Sequence, residues 1–336
     1  MTFRLFALTL LAMLAFAGNS LLCRVALKQT AIDPTTFFTI RIVSGALMLC
    51  LVLALRRQTG RVEGTWAGAL ALVGYALAFS YAYTHVPAGT GALLLFGAIQ
   101  ISMILYGLVA GERLAAMQWA GTALAVAGLV ALMWPSANAP PAFYGLLMIL
   151  SGVAWSIYSL LGRGAKNPAA ATAGNFIRAA PLAVALLLAQ FATSHVRFDT
   201  AGAAYAVASG AVTSGLGYIL WYAALKQLTV TRAATVQLSV PVLAALGGTV
   251  FLDEPMTALL IAASALVLTG VSLVIFNKRA AEPPGCLTWE RRQPRLAKAA
   301  RTARPARFVV TSDTQHSACR RSPAGRRFQP GQTARR

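Results

Sequence analysis

From Ala88 to Ala110 the chain reads AGTGALLLFGAIQISMILYGLVA, a run without a charge, closed by Gly111-Glu112-Arg113. At 1.5 Å rise per residue, about 20 apolar residues carry a helix across the hydrocarbon core of a bilayer. Working outward, ten such runs appear, at about 4–23, 35–55, 65–84, 88–110, 115–134, 143–162, 171–190, 201–222, 230–252 and 257–276. The breaks between them carry turn residues: Asp33-Pro34, the Arg56–Arg61 stretch, Pro87, residues 135–141, Asn167-Pro168 and Asp253-Glu254-Pro255. Met1–Ala17, with Arg4 and Ala15-Phe16-Ala17, has the outline of a secretory signal. Its apolar run continues to Leu22 and has a counterpart opening the second half of the chain, so it is read as a retained first span. The expected fold is all-α, with ten transmembrane helices.

Composition agrees. Of 336 residues 57% are hydrophobic and 11% charged, against about 25% charged in a soluble domain. Net charge is +20, but residues 277–336 hold 15 of the 29 Lys and Arg. The first 276 residues carry 14 basic and six acidic side chains, too few to cover a water-facing surface. An ordinary soluble enzyme, a nucleic-acid-binding domain and a disulfide-rich module are thereby excluded.

Lys and Arg positions set the orientation. With the N-terminus inside, inner segments hold Arg4, Arg56, Arg57, Arg61, Arg113, Arg163, Lys166, Lys226, Arg232, Lys278 and Arg279, and outer ones only Arg24, Lys28 and Arg197. Both termini are expected in the cytoplasm, and the protein in a bacterial-type cytoplasmic (inner) membrane.

The run 230–252 is the earlier run repeated. A shift of 142 residues lays Glu112 on Glu254 and Gly128 on Gly270. Near the start of each half, Ser20-Leu21-Leu22-Cys23-Arg24 lies over Ser159-Leu160-Leu161-Gly162-Arg163, and Ile40-Arg41 over Ile177-Arg178. Five spans per repeat is odd, so the second copy enters from the opposite side. The expected organisation is a first repeat at 1–134, an outer linker at 135–141, a second and inverted repeat at 142–276, and a basic tail at 277–336. Inverted repeats commonly hold a solute between them near the midplane and expose it to each side in turn.

With these landmarks in order, the chain resembles the drug/metabolite transporter superfamily, in particular its EamA-type ten-helix permeases. The resemblance rests on Phe37-Phe38-Thr39-Ile40-Arg41 and Gly174-Asn175-Phe176-Ile177-Arg178, on Gly111-Glu112 and Asp253-Glu254, on Gly128 and Gly270, and on the proline of Gln237-Leu238-Ser239-Val240-Pro241. The first half departs at Ile99-Gln100, where a proline is usual, and Ala17-Gly18-Asn19 replaces a frequent Trp-Gly pair. The resemblance covers about 1–276 and implies export or exchange of small metabolites.

Ionisable side chains inside spans are costly and mark candidate sites. Arg41 and Arg178 lie about 10 Å inside their helices at 1.5 Å per residue. They read as paired cations for a carboxylate or phosphate, as snorkelling side chains, or as packing against carbonyls, Glu112 or Glu254. No Asp or Glu falls mid-span. Lipophilic cations are therefore disfavoured as cargo, and anionic or zwitterionic metabolites such as amino acids favoured. Tyr75 and Phe79 on one face, and Tyr218 with Trp221 on another, join Asn19, Trp155 and Tyr158 as candidate lining. Asn175, Gln100 and Gln237 complete the substrate-binding set. Interhelical packing explains such residues equally well one at a time.

Glu112 and Glu254 each precede a helix whose positive end stabilises a carboxylate, a structural role. Gly64-x-x-x-Gly68 and Gly107-x-x-x-Gly111 permit close helix approach, within the bundle or in a homodimer. Cys23, Cys50, Cys286 and Cys319 have no metal or redox spacing, and no catalytic or nucleotide motif occurs, so neither catalysis nor a cofactor nor a metal is expected. The tail, too poor in apolar residues for a core, is expected to be disordered and offers contact to anionic lipid rather than nucleic acid. A non-transporting membrane sensor or assembly subunit is the alternative function.

Overall fold

The computed structural model describes residues 3–57, 63–109, 114–134, 140–162, 165, 167–193, 196–225, 227, 236–237 and 239–276. The basic tail, Gly111-Glu112 and Arg163 lie outside them. Among the described residues every regular element is helical: α1 (Phe3–Gln29), α2 (Pro34–Leu55), α3 (Trp66–Ala82), α4 (Ala88–Val109), α5 (Ala116–Met133), α6 (Ala142–Gly162), α7 (Pro168–Thr193), α8 (Thr200–Val207), a π-helical segment π1 (Ala208–Leu216), α9 (Gly217–Leu225), α10 (Ser239–Leu252) and α11 (Ala258–Phe276). Seven helical stretches are long and apolar enough to cross a bilayer, one of them the continuous Thr200–Trp221, and Trp66–Ala82, Ser239–Leu252 and Ala258–Val274 are shorter apolar helices.

Caps explain several starts. Asp33, in extended conformation, accepts from the backbone of Thr35 and Thr36 while Pro34 opens α2. Thr65 caps α3 through Gly68 N, and Asp199 caps α8 through Gly202 N. Asp33 also accepts from Gln190 Nε2 at 3.0 Å and Arg197 N at 3.0 Å, which ties the start of α2 to the end of α7. Burial opposes ionisation of this carboxyl. The hydrogen bonds from Thr36, Gln190 and Arg197 outweigh burial and hold it below the usual carboxylate range.

Each of α1 to α5 finds its main partners in the second half of the chain: α1 on α9 and α10, α2 on α7 and π1, α3 on α6, α4 on α6 and α10, α5 on α11. The two halves thus interleave. Glycines permit the closest approach, and a Cβ on Gly121 would stand 2.5 Å from the Gly270 carbonyl oxygen. Helices alternate in direction. One end of the bundle joins the ends of α1, α3, α7 and α10 to the starts of α2, α4 and α8. At the opposite end Thr65 before α3 meets Asn175, and Gln118 at the start of α5 meets Val274 O.

One expectation is corrected here. α1 does not stop near residue 23 but runs to Gln29, so Arg24 and Lys28 belong to its last turns instead of a loop. Nothing breaks the helix before Asp33-Pro34, and partners from α3 and the segment after α10 take up the charges.

Candidate functional site

Arg41 lies two turns into α2 and is 1% exposed. Its Nε donates to Ser214 Oγ at 3.2 Å and its Nη2 to Tyr75 Oη at 3.1 Å. The guanidinium carbon stands 5.3 Å from the Tyr75 ring centre and 5.0 Å from that of Phe79, within cation–π range. Nη1 has no hydrogen-bond partner among the described residues. The ion pair found among those residues, Arg24 with Glu254, is elsewhere, so no described carboxylate compensates Arg41. A side chain enclosed to this degree is not snorkelling. Burying an unpaired ion costs about several kcal/mol, which an anion at Nη1 would offset.

The local chain makes this burial geometrically accessible. Gly210 of π1 faces the Arg41 carbonyl and the Ser44 hydroxyl, where any Cβ would overlap, so α2 and π1 come into direct contact. The wider π register also turns Ser209, Thr213 and Ser214 inward, a use often made of π segments. Asn19 of α1 binds there, its Oδ1 accepting from Ser209 Oγ at 2.7 Å and Thr213 Oγ1 at 3.3 Å. Its Nδ2 donates to Tyr75 Oη at 3.4 Å. Tyr75 Oη therefore receives both Asn19 and Arg41.

Beside this network is a cavity lined by Phe16, Asn19, Ser20, Tyr75, Phe79, Leu95, Phe96, Ile99, Trp155, Thr213 and Tyr218. Phe16 meets Trp155, Tyr218 and Trp221 edge-on at 6.4, 6.1 and 5.8 Å between ring centres. Trp155 lies 4.8 Å from Tyr75, 5.0 Å from Tyr218 and 5.5 Å from Tyr158. Residues matched by the repeat, Phe16 with Trp155 and Phe79 with Trp221, converge from both halves. The free space is about 20 Å³, room for about one water. Ligand pockets run to about 300–1,000 Å³, so the aromatic rings hold the cavity shut.

The structure thus brings together Arg41, Asn19, Tyr75, Phe79, Trp155, Tyr158, Tyr218 and Trp221. Four candidates lie apart. Arg178 is half-buried, and its Nη1 donates to the carbonyls of Glu63 at 3.2 Å and Gly174 at 3.0 Å. Asn175 accepts from Thr65 N at 2.9 Å, and its amide lies against Gly64 and Gly68. The Gly64–Gly68 pair accordingly packs on α7. Gln100 of α4 and Gln237, which is helical, are half-buried and do not line the cavity.

Sequence reasoning missed Ser209 and Thr213. Their only signal is a cluster of small polar residues, Ser209-Gly210-Ala211-Val212-Thr213-Ser214-Gly215, in an otherwise apolar span. It also aimed Glu254 at the helix that follows it. In the structure Glu254 Oε2 accepts from Ala88 N, at the start of α4, at 2.6 Å.

Apolar helices from two interleaved halves, closed around an aromatic cavity with a buried cation, define an integral membrane transporter. The chain belongs to the EamA-like transporter family, whose pattern matches it twice, at residues 4–134 and 142–276. It is 55% identical to an uncharacterized protein of Pseudomonas aeruginosa over 273 residues, 81% of this chain and 94% of that one. A "Probable terminal-alkyne amino-acid exporter" of Streptantibioticus cattleyicolor is 28% identical, with 65% of this chain and 75% of that one covered. A "Probable amino-acid metabolite efflux pump" of Escherichia coli K12 is 26% identical, with 62% and 77% covered. A crystal structure with 21% identity aligns with a TM-score of 0.60 over 82% of this chain and 99% of that one, a likeness of fold.

Proposed function

We propose that the chain is a ten-span exporter of small, largely apolar carboxylates such as amino acids, with two inverted repeats and both termini in the cytoplasm. Solute binds between the repeats, its carboxylate on Arg41 and its apolar part among Phe16, Phe79, Trp155 and Tyr218, and leaves by alternating access. The observation that carries this reading is the buried guanidinium whose Nη1 is unpaired and whose charge no described carboxylate balances. A carboxylate there would form a charge-assisted hydrogen bond and restore electroneutrality. None of the cavity-lining residues is acidic, which disfavours cationic cargo. Two relatives named as a probable amino-acid exporter and a probable amino-acid metabolite efflux pump point the same way.

On this reading the closed cavity is an occluded form, and the aromatic rings must part to admit solute. Arg178 and Asn175 fasten α7 to the start of α3 at the cytoplasmic end. The test is uptake into everted vesicles of a panel of apolar amino acids and monocarboxylates, each beside its neutral amide. Uptake of carboxylates well above their amides supports the proposal; equal uptake of the two sets contradicts it.

A further inference from the structure

Arg24 and Glu254 come from opposite halves of the chain, and each is 7% exposed. Arg24 Nε meets Glu254 Oε1 at 2.8 Å, and its Nη1 donates to the carbonyls of Tyr83 at 2.8 Å and Thr84 at 2.9 Å. With Glu254 Oε2 on Ala88 N, the pair joins α1, the end of α3, the start of α4 and the segment after α10. Lys28 adds a bond to Leu252 O at 3.0 Å. Asp253, at φ +53°, is in the left-handed region, which Asp tolerates better than most residues, and the turn brings Glu254 back against Gly248. A Cβ on Gly248 would come 3.0 Å from Oε2.

The position of this pair is informative. On one side, Ser20 and Phe79 line the aromatic cavity. One turn further along the same helices, about 6 Å on, come Arg24 and Tyr83. On the other side, Glu254 lines a second and larger cavity of about 240 Å³, with His85, Thr90, Thr249, Met256 and Thr257. The ion pair therefore lies between the linings of the two spaces.

We propose that the second cavity is the outer port through which the transported solute passes, and that Arg24–Glu254 is its latch. The proposal rests on the alternating-access reading above. Ion-pair chemistry suits a latch better than an apolar plug. Buried, the pair is held by three backbone groups as well as by its own attraction. Once parted and hydrated, both ions are well solvated, and an exposed pair attracts only weakly. The closed and open forms can thus lie close in free energy, whereas a parted apolar plug would leave its surface to water.

Cys23, next to Arg24 and 0% exposed, reports the state of the latch. In a chain with Cys50, Cys286 and Cys319 changed to Ser, a membrane-impermeant methanethiosulfonate is applied to the outside of intact cells, with no solute added. Glu254→Gln should speed labelling of Cys23 about tenfold, the effect of about 1.4 kcal/mol removed from the closed form. A Cys23→Ser, Ala125→Cys version reports on general loosening, because Ala125 is 1% exposed and lies in α5 against α11. Faster labelling at Cys23 alone supports the latch. Equal acceleration at both sites makes Glu254 a general support of the fold and overturns it. Unchanged labelling at Cys23, or acceleration confined to everted vesicles, also overturns it. Because no solute is involved, none of these results depends on whether Arg41 binds a carboxylate.

Discussion

Arg41 and Arg178 occupy matching places in the two repeats, each after an isoleucine and four residues after the Phe37 or Gly174 that opens its motif. Their surroundings differ completely. Arg41 is sealed among aromatic rings, with one amino group unpaired and no described carboxylate near it. Arg178 is half-buried, and its Nη1 donates to the carbonyls of Glu63 and Gly174. A repeated sequence has produced one candidate binding cation and one fastener. In this duplicated chain, matching sequence positions do not carry matching side-chain chemistry, which each half's neighbours decide.

The strongest way to break this contrast is Arg41→Gln. It should lower transport of carboxylate solutes by about 30-fold, the loss of about 2 kcal/mol from a charge-assisted hydrogen bond. Initial rates in everted vesicles at matched expression measure it. Ser214→Ala and Tyr75→Phe sharpen the comparison, since both remove a partner that positions Arg41. Each should cost about 1 kcal/mol, or about fivefold in the same assay. Arg178→Gln should leave carboxylate transport within about twofold while lowering the melting temperature in detergent, because only hydrogen bonds to two carbonyls are lost.

The smallest effect is expected at Asp33, which shares no hydrogen bond with Arg41 or Arg178 among the described residues. Its carboxyl titrates lower in the folded chain than in the unfolded one, so its stabilising contribution is present above the unfolded pKa of about 3.9 and disappears as pH falls through the lower folded value. Asp33→Asn should melt below the reference chain at neutral pH, and the gap should close as the pH is brought below about 4. Thermal melts across that range measure the gap.

Most of the fold was legible because spans in a bilayer must be long and apolar, a constraint written residue by residue. The breaks at Asp33-Pro34, Pro87 and Asn167-Pro168 all fall where helices start in the structure. The end of α1 was not legible. Its last turns carry Arg24 and Lys28, and their tolerance depends on Glu254 and Leu252, more than two hundred residues away. Within the site, Arg41, Asn19 and the aromatic faces could be read from periodicity and rarity. The π register that aims Ser209 and Thr213 could not, because no local sequence pattern marks it, and it occurs where Gly210 packs directly on α2, a contact between distant parts of the chain. The divergence of Arg178 was equally hidden. Its acceptors are backbone carbonyls, and every residue has one.

The central claim, that Arg41 and not its repeat partner receives the solute's carboxylate, is tested most directly by a discrimination ratio. Uptake of an apolar amino acid is compared with uptake of its amide in the reference chain, in Arg41→Gln and in Arg178→Gln. On this account both solutes would meet the same aromatic wall, so their ratio isolates the contribution of the carboxylate. The account predicts a ratio that collapses toward one in Arg41→Gln and stays at the reference value in Arg178→Gln. An unchanged ratio in Arg41→Gln, or a collapse in Arg178→Gln alone, would contradict it.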